Sequence, residues 1–131
     1  MSEESGYTPS QRAMVDLWEE HTAYEFEDHS TEKTLATMTD EPVNINVSLL
    51  TGGVGLEDVR RYYSEHFIPK NPPDTHVAFL SRTVGEDRVV DEMILSFTHT
   101  TQMDWMLPGV PPPARESRSP RWGSWSSRTA R

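Results

Sequence analysis

Apolar residues recur three and four apart near the start of the chain: Met14, Leu17, Trp18, His21 and Tyr24 form one helical stripe. Thr8-Pro9-Ser10-Gln11 precedes it, with Thr8 as N-cap, Pro9 at the first helical position and Gln11 three residues past the cap. Asp28-His29-Ser30-Thr31 breaks the stripe, and Ser30 or Thr31 caps a short second helix through Leu35 and Met38. The period then changes to two. Val43, Ile45, Val47 and Leu49 alternate with Asn44, Asn46 and Ser48, which predicts a strand. Thr51-Gly52-Gly53-Val54-Gly55 is expected to be a tight turn. It lacks the Lys and Ser/Thr of a phosphate loop, and its glycines are not spaced GxGxxG. A third helix follows, with Leu56, Val59, Tyr63 and Phe67 on one face and Pro69 at its end. After the loop Asn71-Pro72-Pro73-Asp74, His76–Val84 and Arg88–Thr101 read as two strands joined by Gly85-Glu86-Asp87, an antiparallel hairpin. Leu107–Pro113 is a Pro-rich connection.

Helices interleaved with one strand, then a run of strands, predict an α+β fold: a curved antiparallel sheet wrapped around N-terminal helices. A sheet of three strands leaves its concave face half open. The length of 131 residues fits one domain. Its expected organisation is a flexible N-terminus over 1–7, an α+β domain over 8–113 and a separate tail over 114–131.

The tail changes the picture. Ala114 to Arg131 holds five Arg, no Lys and one Glu, whereas residues 1–113 carry seven Lys+Arg against twenty Asp+Glu, a net of −13. It has neither the alternation of a strand nor the period of a helix, so it is expected to be disordered. Its Arg, Ser, Trp and Gly content is what GC-rich coding DNA yields in the wrong frame. Synonymous codons can be chosen from Arg115 onward so that another frame reads RVEVPSVGVVEFEDGE, an alternating, Val-rich strand ending in an Asp-Gly turn. The alternative is a natural basic tail that binds an acidic partner. A body at −13 argues against nucleic acid as the main partner. No apolar run is long enough to span a membrane, and the acidic, polar N-terminus is no secretion signal. With zero Cys, disulfides, thiolate metal sites and Cys nucleophiles are excluded, and a cytoplasmic location is the simplest expectation.

Five segments carry a family resemblance: LWEEHTAYEF (17–26), LLTGGVG (49–55), RRYYSEHFIPKNPPDT (60–75), SRTVGEDRVVDEM (81–93) and FTHTTQMDWMLPGVPP (97–112). They resemble the SnoaL-like polyketide cyclase branch of the nuclear transport factor 2-like superfamily, a cone-shaped α+β fold. Within it they look closest to a subgroup labelled ester cyclase or carboxymethylenebutenolidase. No GxSxG elbow or Cys nucleophile supports the hydrolase label. In that subgroup an RVEVP-type strand and a last strand with a HEHIYWDQ-type motif follow. Here Pro113-Ala114-Arg115 stands where Thr-Gly is expected and neither strand follows, so the resemblance implies a fold whose last strands are missing, truncated by a frame shift. Unpaired backbone at that edge implies low stability or association.

The resemblance implies a small-molecule enzyme of cyclase or isomerase type. Its chemistry would be metal-independent and acid/base, without a cofactor, in a hydrophobic pocket for a polyketide-like or other small hydrophobic molecule, with a possible homodimer. The family carboxylate on the final strand is absent, so activity is expected to be impaired. The alternative is a non-catalytic domain of the same fold that binds a hydrophobic ligand or dimerises. On the strand 88–100, Glu92 and Asp91 face opposite sides, and comparison with SnoaL-like chains favours Glu92 as the inward, catalytic candidate. His99, beside Phe97 and Leu95, is either a second catalytic candidate or a packing residue. Trp18, His21, Asn46, Tyr63, Met103 and Trp105 are the expected pocket residues. Asn46 stands where relatives often carry His. His66 reads as boundary packing, His29 and His76 as exposed, and Asp104 as a turn cap. Histidines without HxH or HExxH spacing argue against a metal site.

Overall fold

The computed structural model describes residues 6–113 and the backbone of residues 125–130. It is an α+β structure with two small antiparallel sheets. Helix α1 spans Pro9–Phe26 and starts as its sequence predicts. The Thr8 side chain accepts from the Gln11 amide while Gln11 reaches back to the Thr8 amide, a complete capping box. Helix α2 spans Thr31–Ala36, and the Ser30 hydroxyl accepts from the Lys33 amide at its N-terminus.

The next segment departs from expectation twice. Strand β1 covers only Val43–Asn46, and Thr51–Val54 is a second strand, β2, that folds back on it with Val43 opposite Val54. The glycines therefore serve packing rather than a turn. A side chain at Gly52 would collide with the Asn44 carbonyl, and one at Gly53 would lie 2.7 Å from the Asp58 carbonyl carbon. Only glycine lets β2 fit between β1 and the helix that follows. The alternation is also inverted in depth: Val43, Ile45 and Val47 are exposed, and Asn44 and Asn46 are half-buried.

Helix α3, Leu56–Arg61, passes into a π-helical turn over Tyr62–Phe67 and a 3₁₀ turn over Ile68–Lys70. Hydrogen bonds five residues apart bring Tyr62 and Phe67 to one side. Their rings lie 5.7 Å apart, and Tyr63 and Trp105 stand 5.5 and 4.8 Å from Phe67. With Val59, Leu35, Leu95, Phe97, Met103 and Met106 these rings form the larger core. Each such side chain contributes about 2 kcal/mol by burial. A smaller core joins Val15 and Trp18 of α1 to Val89.

Strands β3, His76–Val84, and β4, Val89–Ser96, form the hairpin that the Gly85-Glu86-Asp87 signal predicts. Its register slips once, between Phe79 and Ser81, so Leu80 is an extra residue on β3. Before the bulge Val77 and Phe79 stand opposite Leu95 and Met93; after it Arg82 and Val84 stand opposite Asp91 and Val89. The bulge thus moves the inward set of β3 from odd to even positions and keeps it facing one side of β4.

A third strand, β5, Trp125–Ala130, pairs antiparallel with β4 on its other edge. The sequence predicts no strand here, so the expectation of a wholly disordered tail with a bare β4 edge is corrected for these six residues. An open edge of amide and carbonyl groups accepts an extended backbone whatever its side-chain pattern. Residues 1–5, 114–124 and 131, which hold most of the N-terminus expected to be flexible over 1–7 and most of the expected tail, lie outside the described residues; Tyr7 is described and packs against the smaller core.

Deleting Leu80 is expected to straighten β3 while leaving Arg82 opposite Asp91. The check is the Trp18 indole N–H resonance together with a urea melt. A cooperative melt with that resonance retained is the expected result; loss of both would mean that the bulge itself holds the register.

Candidate functional site

The inward face of β4 carries a buried carboxylate. Val89, Asp91, Leu95 and, just past the strand, Phe97 and His99 are buried, whereas Glu92 is half-buried on the other face and accepts a hydrogen bond from Ser81 at 3.2 Å. The expectation that Glu92 points inward is therefore corrected: Asp91 does. Strand alternation permits either choice, and the Val89–Leu95 packing side decides between them.

Asp91 is fully buried and is held from two elements. Arg82 donates to it twice, Nε to Oδ1 at 2.8 Å and Nη2 to Oδ2 at 2.9 Å. The Trp18 indole of α1 donates to Oδ2 at 2.7 Å. Arg82 Nη1 also donates to Glu19 Oε2 at 2.7 Å. These bonds to Asp91, with a smaller contribution from Glu19, hold the guanidinium above its already high ordinary pKa. Three donors engage the Asp91 carboxylate, so its role is to tie α1 to the hairpin. Arg82 and Asp91 are equally far from the centre of the four-residue connection 85–88, and that symmetry is the signal that pairs them once Val84 stands opposite Val89.

A cleft of about 740 Å³ opens beside this node, between the outer face of α1 and strand β3. Phe26, Ala23, Val77, Phe79 and Leu80 form its apolar surface; Glu19, Glu27, Arg82 and Asp91 supply its charges. Phe79 and Leu80 remain 52% and 55% exposed, large side chains left open in a concave surface.

The expected pocket residues lie elsewhere. Trp18, His21 and Tyr63 come together in the interior: Trp18 stacks on His21 at 5.4 Å, and Tyr63 meets the His21 ring edge-on at 6.3 Å. The Tyr63 hydroxyl donates to Glu25 Oε2 at 2.7 Å, and His21 Nε2 lies 3.2 Å from the same oxygen. His21 Nδ1 is 2.6 Å from the Thr37 hydroxyl, whose own proton goes to the Thr34 carbonyl at 2.7 Å. The hydroxyl has no second proton, so Nδ1 is the donor to it. Sequence reading named His21 and missed its partner, although Glu25 stands one helical turn later. Asn46 is separate: its amide donates to the hydroxyls of Tyr62 and Thr51, both at 2.9 Å. Burial pushes the Tyr62 phenol well above its ordinary pKa. Met103 and Trp105 pack in the larger core, with the Trp105 indole donating to Asn71 at 3.0 Å. None of these six side chains is among the described residues that line the cleft.

His99 is 1% exposed, its ring set edge-on to Phe97, and its Nε2 has no hydrogen-bond partner among the described residues. His66 and Asp104 form a pair that the sequence reading did not foresee, Nδ1 to Oδ2 at 2.8 Å. Burial alone would raise the Asp104 pKa. The His66 hydrogen bond, Asp104's own amide and the Lys70 charge outweigh it and leave the carboxyl below its usual range. Among the described residues no group of three or more His, Cys, Asp or Glu is placed to hold a metal ion.

The structure so far defines an α+β protein with a charged node beside a partly apolar cleft. Comparison with known proteins adds no closer relation: no family model, no curated protein and no solved structure matches the chain.

Replacing Arg82 with Met is expected to destabilise the fold by about 3 kcal/mol, because Asp91 would stay buried without its cation. Urea denaturation measures this, and a change below about 1 kcal/mol would contradict the tie described here. For Asp104 the folded pKa is depressed. Its contribution to stability is present above the unfolded carboxyl pKa and is lost as pH falls through the lower folded value. His66→Ala is expected to move the Asp104 titration upward, as read by carboxyl-carbon NMR; an unmoved midpoint would remove His66 as the cause.

Proposed function

We propose that this chain is a small-molecule-binding domain built on the cone-shaped frame of the nuclear transport factor 2-like, SnoaL-like type, with its ligand site in the cleft between α1 and β3. The observation that carries this reading is the pairing of a cavity of ligand size with Phe79 and Leu80 standing open inside it. Cavities of about 300–1,000 Å³ are where small molecules bind, and this one sets an apolar patch among several polar and charged side chains. Burying Phe79 and Leu80 against a ligand recovers the hydrophobic free energy that the free protein forgoes.

The same geometry favours binding over turnover. Asp91, the buried carboxylate at the cleft, is committed to Arg82 and Trp18. An acid/base carboxylate of the cyclase kind needs an environment that leaves it free to take a proton near neutral pH. The cyclase-like reading keeps one supporting observation, the partnerless Nε2 of buried His99, because unsatisfied buried groups are costly and persist where they have a use.

The test fills the cleft. N-phenyl-1-naphthylamine, a neutral fluorescent hydrophobe, is expected to bind the full chain with enhanced emission. Ala23→Trp, which places an indole in the cavity from α1, is expected to weaken that binding by about tenfold or more. Unchanged binding in a variant that melts normally would place the ligand site elsewhere.

A further inference from the structure

The cleft is not electrically neutral. Among the described residues that line it, Glu19, Glu27 and Asp91 stand against Arg82, with the exposed His76 at the same cleft. An arginine in a pocket ordinarily reads as a receptor for a carboxylate or phosphate. Here that capacity is spent: Arg82 gives Nε and Nη2 to Asp91 and Nη1 to Glu19, so an anionic ligand would compete with two carboxylates already in place. Glu27 lies at the C-cap of α1 and is exposed; its amide donates to the Ala23 carbonyl at 2.8 Å, while its carboxylate makes no hydrogen bond or ion pair among the described residues. The last turn of that 18-residue helix carries no basic residue, and Lys33 of α2, 3.7 Å from Asp28 just past the helix end, is engaged by that carboxylate rather than by Glu27. Phe26 and Phe79 line the same cavity, with the Arg82 guanidinium 6.0 Å from the centre of the Phe79 ring, and the whole chain carries a net charge of −9.

We infer that the cleft takes an amphipathic organic cation, an apolar body carrying a protonated amine or quaternary ammonium, and refuses the corresponding carboxylate. The body lies against Val77, Phe79 and Leu80, and the ammonium sits toward Glu27 at the end of α1. This rests on the cleft being the ligand site. It adds a charge requirement that an apolar cavity alone does not impose.

The experiment compares three probes of one shape on the full chain: 2-(1-naphthyl)ethylamine, 2-(1-naphthyl)ethanol and 1-naphthylacetate. Affinity is measured by calorimetry and location by amide shifts at Val77, Phe79 and Leu80. The amine is expected to bind about tenfold more tightly than the acetate, with the alcohol between them. Glu27→Gln is expected to narrow the gap between amine and alcohol while leaving the alcohol unchanged, and added salt should narrow it further. If the acetate binds as well as the amine, the charge requirement is overturned while the cleft remains a ligand site. If no probe binds, including the alcohol, or if the shifts fall away from β3, the cleft reading fails and the charge requirement with it.

Discussion

A buried anion needs a cation and a full set of donors, and the way this protein meets that need at Asp91 organises its smaller core. Arg82 supplies the charge from the neighbouring strand and Trp18 supplies a donor from α1. One carboxylate therefore joins the hairpin to the first helix at a fixed height and rotation. The apolar contacts at this junction are few, chiefly Val15 and Trp18 against Val89. Apolar packing of that extent tolerates sliding; a bidentate ion pair with a third donor does not.

The bulge at Leu80 belongs to the same constraint. On a regular strand that keeps Val77 and Phe79 inward, Arg82 would face outward and leave Asp91 unpaired. The extra residue restores the inward set, and it leaves Leu80 beside Phe79 at the mouth of the cleft. The feature that completes the charged node thus also shapes the apolar wall. Nearby, the π-helical turn over Tyr62–Phe67 gathers aromatic rings that carry Tyr63 to Glu25 and His21, so hydroxyl and carboxylate partners meet in the polar interior.

These arrangements bear on what the site can do. A carboxylate held by three donors is committed to structure, and a guanidinium shared between two carboxylates is a poor anion receptor. What remains available in the cleft is apolar surface and the unengaged negative charge of Glu27. That combination suits recognition of a ligand more than proton transfer to it.

Local signals in the chain were sufficient for α1 with its capping box, for α2 with Ser30, and for the hairpin at Gly85-Glu86-Asp87. Each depends on residues within one turn of one another, which is the range over which periodicity and capping act. The charge of the body and the α+β order of elements were legible for the same reason. The choice between Asp91 and Glu92 was not, because alternation only separates the two faces of a strand and cannot say which one another element will cover. The purpose of Gly52 and Gly53 was hidden likewise, since it lies in the approach of Asn44 and Asp58. His21 and Tyr63 on the helical stripes, and Met103 and Trp105 by the family resemblance, were expected in the pocket, yet packing placed them inside and gave the cleft to Phe79, Leu80 and the outer face of α1. Even the pairing of Trp125–Ala130 with β4 follows from a free strand edge rather than from any pattern in those residues. Sequence by itself determined the local elements, whose causes are near neighbours; tertiary structure alone decided which faces meet, because burial belongs to pairs of elements distant in the chain.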